Sequence, residues 1–135
     1  MARVRVQAFL LCDSVIVDKD GKTTVQGVFD RIHCQSLPIM CPSLMVFARV
    51  RLPRPGHCDA EIEVQTPSGA VERPLQRQRM SSGDSDIALL FHRVLAIPLR
   101  EPGKYVWSLI IDGMKVADYP FTVVAAGSKT STSST

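Results

Sequence analysis

A chain of 135 residues has the length of a single domain. With 45% apolar residues, it can bury a core without help from a disulfide or a metal. Sixteen basic residues against 13 acidic ones give a net charge of +3. This weak, dispersed excess does not indicate a nucleic-acid or an anionic-membrane partner.

The first residues, MARVRVQAFLLC, could be mistaken for a secretory leader, because positive charge precedes an apolar run. The continuous apolar part covers residues 8–12, which is shorter than the roughly 7–15 residues of a leader core. No stretch approaches the ~20 apolar residues of a membrane span. We therefore expect a cytoplasmic protein, in which cysteines stay reduced.

The N-terminal third predicts a hairpin. Asp20-Gly21 separates VRVQAFLLCDSVIV from TTVQGVFDRI, and Asp-Gly between apolar runs is typical of a hairpin turn. If the chain reverses there, Asp13 and Asp30 come near each other across the ladder, with Arg31 on the other face. Asp13, Asp30 and Arg31 are therefore candidate binding residues for a small polar site at one end of the fold. We favour a structural role over this site: Asp13 ends a strand by bonding a backbone N–H, and Asp30 or Arg31 holds the following loop.

The middle of the chain alternates with a period of two, which is typical of strands with one wet face. The even-numbered residues of LMVFARVRL (44–52) and CDAEIEVQ (58–65) are apolar. The basic stretch that follows, ERPLQRQRM, contains Arg73, Arg77 and Arg79 but no aromatic residue that could stack on bases. We interpret it as a solvated loop or edge strand, with a small anion-binding patch as the alternative.

The run IALLFHRVLAIPL (87–99) is ambiguous. As a strand, its apolar face contains Ile87, Leu89, Phe91 and Leu95, with Arg93 out of place. As a helix, it would align Ile87, Leu90, Phe91, Val94 and Leu95. We favour the strand, because the neighbouring segments read as strands and Pro98 limits the length of the run.

The C-terminal part predicts two strands joined by a tight type I′ turn at Asp112-Gly113. Pro120 has no N–H to donate, so its strand lies at an edge or contains a bulge. The final residues, 126–135, are rich in Ser and Thr and predict a disordered tail beyond a domain of residues 1–125. The apolar faces of the two strands are predicted to contain Tyr105, Trp107, Leu109 and Ile111, and Ala117, Tyr119, Phe121 and Val123.

Three segments together resemble a family of small uncharacterised bacterial proteins. They are AFLLCDSVIVDKDGKTTVQGVFDRI, VFARVRL and PGKYVWSLIIDGMKVADYPFTV. The most specific part is Gly-Val-Phe-Asp-Arg-Ile at residues 27–32, and the resemblance extends from residue 3 to about residue 124. It implies a β-sandwich and a bacterial origin, and it supplies no substrate. His33, Cys34 and Cys41 depart from the family pattern, so the resemblance implies no shared metal or thiol chemistry.

The histidines and cysteines give no motif for a metal site or a nucleophile. Cys34 and Cys41 are seven residues apart, wider than the Cys-x(2–4)-Cys pair of structural zinc sites. His33-Cys34 and His57-Cys58 are adjacent, so on strands their side chains point to opposite faces. We expect no cofactor and no metal, and we interpret the cysteines as core or loop residues. A disulfide from Cys34 to Cys41 or Cys58 remains the alternative in an oxidising compartment.

The sequence as a whole predicts an all-β, antiparallel, two-sheet β-sandwich of about eight strands, immunoglobulin-like in outline. Its edge strands favour a non-enzymatic interaction or assembly module, with a protein partner or a second copy of the chain in a homodimer. The alternative is a domain that binds a small polar ligand or a carbohydrate through Tyr105, Trp107 and Tyr119. No motif indicates an enzyme.

Overall fold

The computed structural model describes residues 3–126, so the predicted tail lies outside the described residues except for Ala126. Within this range all regular structure is β-strand. No helix in the described part is long and apolar enough to cross a membrane. The strands in chain order are β1 (Arg5–Cys12), β2 (Ser14–Val17), β3 (Thr23–Gln26), β4 (Arg31–Cys34), β5 (Ile39–Arg51), β6 (His57–Gln65), β7 (Val71–Ser81), β8 (Ile87–Leu99), β9 (Gly103–Ile111) and β10 (Met114–Ala125).

The strands form two large sheets and one small one. The order is β1-β5-β8 in a three-stranded sheet, β4-β10-β9-β6-β7 in a five-stranded sheet, and β2-β3 in a separate hairpin. One hydrophobic core joins the two large sheets. Its largest fully buried side chains include Trp107 of β9, Phe121 of β10, Leu11 of β1 and Leu44 of β5. The alternation predicted for β5, β6, β9 and β10 is confirmed, because their predicted apolar faces supply this core.

The prediction of about eight strands in two sheets is wrong. The structure has ten strands in three sheets among the described residues. The difference arises in the N-terminal hairpin, where Asp13 separates β1 from β2 and residues 27–30 separate β3 from β4. Each predicted arm is therefore two strands that belong to different sheets.

The antiparallel prediction also fails at one pair. β4 runs parallel to β10, with Arg31 opposite Thr122 and Cys34 opposite Ala125. This pairing begins only at Thr122. At Pro120, β10 therefore pairs with β9 on one side and, among the described residues, with no strand on the other. The edge position predicted for Pro120 is therefore correct for that part of the strand.

Both predicted turns are present. In the β2–β3 turn, Asp18 Oδ1 accepts hydrogen bonds from the backbone N–H groups of Asp20 and Lys22. In the β9–β10 turn, Asp112 and Gly113 have φ values of +48° and +83°, as a type I′ turn requires at both central positions.

The strand predicted for residues 87–99 is confirmed as β8, but its faces are the reverse of those expected. Ala88, Leu90 and Val94 are buried, whereas Phe91 and Leu95 are 45% and 67% exposed. The odd-numbered residues of β8 up to Leu95 therefore point away from the core. Arg93 is one of them, and a charged side chain suits this outward face. The phase changes after Val94: Leu95 and Ala96 are both exposed and Ile97 is buried, and Ala96 has a left-handed φ of +56°.

Candidate functional site

Asp13 packs against the backbone of Gly27. The backbone N–H of Asp13 donates to the carbonyls of Gln26 and Gly27, at 3.0 and 3.2 Å. Gly27 has a φ of +70°, and a Cβ there would collide with the Asp13 carboxyl group. The residue that faces Asp13 across the ladder is therefore Gly27, three positions before the predicted partner Asp30. This contact accounts for a glycine at the start of the Gly-Val-Phe-Asp-Arg-Ile segment.

The rest of that segment carries the chain from one sheet to the other. Phe29 donates its N–H to Leu11 of β1 at 3.2 Å, and the carbonyl of Asp30 accepts from Thr122 of β10 at 2.9 Å. The Phe29 ring packs edge-on against Phe121, and its carbonyl accepts the Tyr119 hydroxyl at 2.7 Å. Burial of Tyr119 raises its pKa, and the nearby negative charge of Asp30 raises that pKa further. We call residues 27–30 the crossing segment.

Arg31, the third predicted site residue, begins β4 and is exposed. The structure thus places Asp13 and the backbone of Asp30 among the contacts of the crossing segment. Within residues 3–126, no three His, Cys, Asp or Glu side chains lie close enough together to hold a metal ion.

The four cysteines are free thiols in separate places. Cys12 and Cys58 are buried, and Cys34 and Cys41 are half-buried. Burial raises the pKa of Cys12, Cys41 and Cys58 above the usual thiol value. Because the thiolate is the reactive form, these three side chains are poorly suited to nucleophilic chemistry at neutral pH.

The outer face of the five-stranded sheet is charged and paired. Arg73 of β7 bonds Glu63 of β6 at 2.7 Å, and Arg77 bonds Glu61 at 3.4 Å. The basic stretch is therefore the edge strand that the sequence predicts, with two of its arginines engaged by acidic neighbours.

The outer face of the three-stranded sheet is apolar at its centre. Leu10 of β1 lies opposite Phe47 of β5, and Phe47 lies opposite Phe91 of β8. Phe47 is only 4% exposed although it points outward, whereas Phe91 is half-exposed. We call Leu10, Phe47 and Phe91 the apolar row. The exposed apolar side chains of this face are therefore Phe91 and, further along β8, Leu95.

A cleft of about 280 Å³ lies where β7, the last strand of the large sheet, meets β8, the last strand of the smaller one. Its walls include Pro74 of β7, Val94, Ala96 and Pro98 of β8, and Tyr105 and Trp107 of β9. We call this space the β7/β8 cleft. Ala96 adopts its left-handed conformation at this point, which costs roughly 1–2 kcal/mol for a residue with a side chain, and such strain is often found at binding sites.

Trp107, which lines this cleft, contains a buried polar atom. The side chain is 1% exposed, and its Nε1–H has no hydrogen-bond partner among the described residues. A buried donor without a partner costs about 1–3 kcal/mol. The alternation of β9 correctly predicted that Trp107 lies in the core. It did not reveal the cleft, because the cleft depends on β8, whose inward and outward positions change over at Leu95-Ala96. The sequence feature that could have indicated this is the presence of apolar residues on both faces of β8.

Residues 7–124 match the model of a family of unknown function, DUF6941. The chain belongs to DUF6941. This confirms the resemblance to a family of uncharacterised proteins, and no curated protein matches the sequence significantly.

Solved structures resemble this DUF6941 chain at very low sequence identity. The alkylpurine DNA glycosylase AlkC of Pseudomonas fluorescens, bound to DNA containing an abasic site analog, aligns with a TM-score of 0.55 and 11% identity over 92% of the chain. A β-glucosidase of Listeria innocua, in complex with glucose, aligns with a TM-score of 0.55 and 8% identity over 91% of the chain. This chain spans 31% and 16% of those two proteins. An immunoglobulin-like protein of Pseudomonas aeruginosa, 12% identical, covers 90% of this chain and 97% of its own, with a TM-score of 0.33. At identities this low, the first two alignments show a shared fold alone.

Proposed function

We propose that this DUF6941 chain is a non-enzymatic protein-interaction module that takes up an extended segment of a partner along the free edge of β8. The observation that carries the proposal is the coincidence, on one strand, of an unpaired backbone edge with the exposed side chains of Phe91 and Leu95. An extended segment added there would continue the three-stranded sheet and cover both side chains.

β8 is the most suitable of the free edges. It has 13 residues and pairs, within residues 3–126, only with β5, and residues 87–94 contain no proline. By comparison, β7 contains Pro74 and pairs with β6 through two register shifts. β4 has four residues, and the Leu11 carbonyl near the end of β1 already accepts from Phe29. Prolines, irregularities and short length are the usual protections of an edge strand, and residues 87–94 lack them.

The charges around the edge support a partner with acidic residues. Arg49, Arg51 and Arg93 lie on the outward face beside the apolar row, and Arg51 has one acidic neighbour, Asp86, at 3.5 Å. A segment that places apolar side chains over Phe91 and Leu95 and carboxylates over these arginines would match this surface. A second copy of the chain, paired through β8, is one partner of this kind.

We also propose an immunoglobulin-like arrangement of the sheets and a cytoplasmic location. Two large sheets that share one core support an immunoglobulin-like arrangement in outline, a fold often used to present edges and loops to partners. Free thiols on the four cysteines support a reducing compartment, and therefore the cytoplasm.

The test compares the wild-type chain with the double variant Phe91→Ser/Leu95→Ser in capture from native lysate, followed by hydrogen exchange of the captured complex. We expect the double variant to lose the partner and the wild-type complex to protect the backbone amides of residues 87–94. Light scattering of the purified wild type, at micromolar concentration, distinguishes a second copy from a foreign partner. Val71→Ser is the matched control, because Val71 is an exposed apolar residue on β7. Equal capture by all three proteins, or no protection on β8, would contradict the proposal.

A further inference from the structure

We propose that a cleft at one end of the two large sheets binds an amphipathic anion, a small molecule that joins one oxyanion group to an apolar chain. The cleft has a volume of about 630 Å³, within the ~300–1,000 Å³ of small-molecule sites. It lies where β1 begins, where β5 passes into β6 and where β9 turns into β10, and we call it the end cleft. Its lining residues, all within residues 3–126, include none of β8, so it is separate from the protein edge proposed above.

The floor of the end cleft is apolar. Five apolar side chains that are buried or more than half-buried line it: Val4, Leu52, Cys58, Ile111 and Val116. Met114, which is 69% exposed, adds a flexible apolar side chain at the mouth. An apolar chain that enters the cleft would leave water and contact this floor, which is favourable.

A bulge in β10 places a charge beside this floor. The register with β9 shifts between Lys115 and Ala117, so the pairing skips Val116. On a regular strand Lys115 and Val116 would point to opposite faces, yet both line the end cleft. Bulges are frequent beside functional sites because they redirect a side chain. Here the bulge combines a cation with an apolar surface, which is the combination that an amphipathic anion requires.

The charges at the mouth favour an anion. The exposed cationic residues that line it are Arg3, Arg54 and Lys115. The acidic lining residue, Asp112, already accepts the backbone N–H of Asp59 at 2.9 Å through Oδ1. Among residues 3–126 neither arginine forms an ion pair, and Lys115 has only an exposed contact of 3.7 Å with Asp118, a weak kind of pair. Long exposed side chains rotate freely, so their charged groups can reach an anion at the mouth.

The loop that carries Arg54 is fixed at the backbone. Arg54 stands between two prolines, which restrict both their own φ and the conformation of the residue before them. The first residue of the loop, Leu52, donates its N–H to the Asp86 carbonyl at 2.7 Å. The last, Gly56, donates its N–H to Ser82 Oγ at 2.9 Å. A site on a backbone that is already held loses less conformational entropy when a ligand binds.

The same residues disfavour other ligands. None of the lining residues is Phe, Tyr or Trp, the side chains on which the bases of a nucleic acid stack. A cationic ligand would meet three like charges and a carboxylate that is already hydrogen-bonded. An anion with an apolar chain therefore fits both parts of the cleft.

The experiment is a titration of the isotope-labelled chain, followed by nuclear magnetic resonance at the backbone amides of Cys58, Ile111 and Val116. Octanoate has both required features, 1-octanol lacks the charge, octylammonium reverses it, and acetate lacks the chain. We expect octanoate to move these amides in a saturable manner and to bind about tenfold more tightly than 1-octanol, the ratio that a hydrogen bond to a charged group supplies. Octylammonium and acetate should bind more weakly than octanoate. Added salt should weaken octanoate and leave 1-octanol unchanged, because salt screens charges at a surface.

Octyl phosphate, titrated in the same way, identifies the head group. Carboxylate and phosphate present the same oxyanion chemistry to arginine and lysine. Tighter binding of octyl phosphate would assign the end cleft to phosphate monoesters, and tighter binding of octanoate would assign it to carboxylates.

Two double variants complete the test. Arg54→Gln/Lys115→Gln removes two charges from the mouth, so octanoate should bind about tenfold more weakly, no better than 1-octanol. Lys22→Gln/Arg31→Gln is the matched control, because it removes the same charge from two exposed residues outside the cleft and should leave octanoate binding unchanged. All four side chains are exposed, so both variants should fold.

Three results would each overturn the proposal. They are amides of the end cleft that do not move at high octanoate concentration, equal affinity for octanoate and 1-octanol, and equal weakening of octanoate binding by the two double variants. Octanoate that moves only the amides of residues 87–95 would overturn it as well, because it would place the anion on the β8 edge.

Discussion

The Cα of Gly27 lies against the carboxyl group of Asp13, so closely that a methyl group at residue 27 would lie 2.7 Å from Asp13 Cγ. This contact fixes where the chain leaves β3 and enters the crossing segment. It also explains in physical terms why the first hairpin divides into strands of different sheets, since Gly27 has a left-handed φ that turns the chain away from the β2-β3 ladder.

Gly27→Ala should destabilise the protein strongly. The left-handed φ costs roughly 1–2 kcal/mol for alanine, and the collision with Asp13 adds to this cost. Gly21→Ala is the matched control, because Gly21 has a φ of +83° and a methyl group added there would meet no atom within 4 Å. Urea unfolding should show a larger loss in the free energy of unfolding for Gly27→Ala than for Gly21→Ala. Adding Asp13→Ala to Gly27→Ala should restore part of the difference, and equal losses at both glycines would show that the contact is unimportant.

Tyr119→Phe should loosen the crossing segment. The change removes the hydroxyl that donates to the Phe29 carbonyl, which is partly buried, and losing one such hydrogen bond costs about 0.5–1.5 kcal/mol. Hydrogen exchange should accelerate at the N–H groups of Phe29 and Thr122. Tyr105→Phe removes a comparable bond to Glu101, four residues away, and should leave exchange at Phe29 and Thr122 unchanged.

Ala96→Gly should stabilise β8 by up to about 1 kcal/mol, because glycine adopts a left-handed φ without the steric cost of a Cβ. Ala88→Gly, in the same strand, should do the opposite, since Ala88 is fully buried and loses its packed methyl group. Thermal unfolding measures both. A lower melting temperature for Ala96→Gly would show that residue 96 is not strained.

Stability should fall as the pH rises above about 8.5, the usual pKa of a thiol. The pKa values of Cys12, Cys41 and Cys58 are raised in the folded protein, chiefly by burial. The folded state therefore holds these protons more tightly than the unfolded state, and the stabilisation is complete below the unfolded pKa and lost as pH rises through the folded one. The Cys12→Ala/Cys58→Ala variant should show a flatter decline between about pH 8 and pH 10. Tyr105 and Tyr119 also have raised pKa values and continue the decline near pH 10 and above.

The sequence predicted those parts of the fold in which local chemistry decides the structure. Strict alternation in β6 and β9 predicted their buried faces, and Asp-Gly predicted both hairpin turns, because side-chain period and turn geometry are local properties. The parallel pairing of β4 with β10 could not be predicted this way, since it joins residues about ninety positions apart and depends on tertiary packing.

The candidate site was the least predictable part. Asp13 and Asp30 were expected to face each other, but a positive φ at Gly27 turns the chain before Asp30 arrives. The faces of β8 were reversed for a different reason: both are apolar, so alternation alone could not decide which one meets the core. The β7/β8 cleft follows from a change of phase at Ala96, and nothing in an Ala residue indicates a left-handed conformation.

The crossing segment bonds β10, which is one of the last parts of the chain to be made. This order has a consequence during synthesis. Phe29 meets Tyr119 ninety residues further along the chain, and a ribosome adding 5–20 residues per second needs roughly 5–18 seconds to make that stretch. For this interval the Phe29 ring lacks Phe121 and the Phe29 carbonyl lacks the Tyr119 hydroxyl, although the Phe29 N–H can already pair with Leu11. The crossing segment should therefore become fixed only when β10 emerges, and a chain whose synthesis stalls before Tyr119 should leave it unattached to the five-stranded sheet.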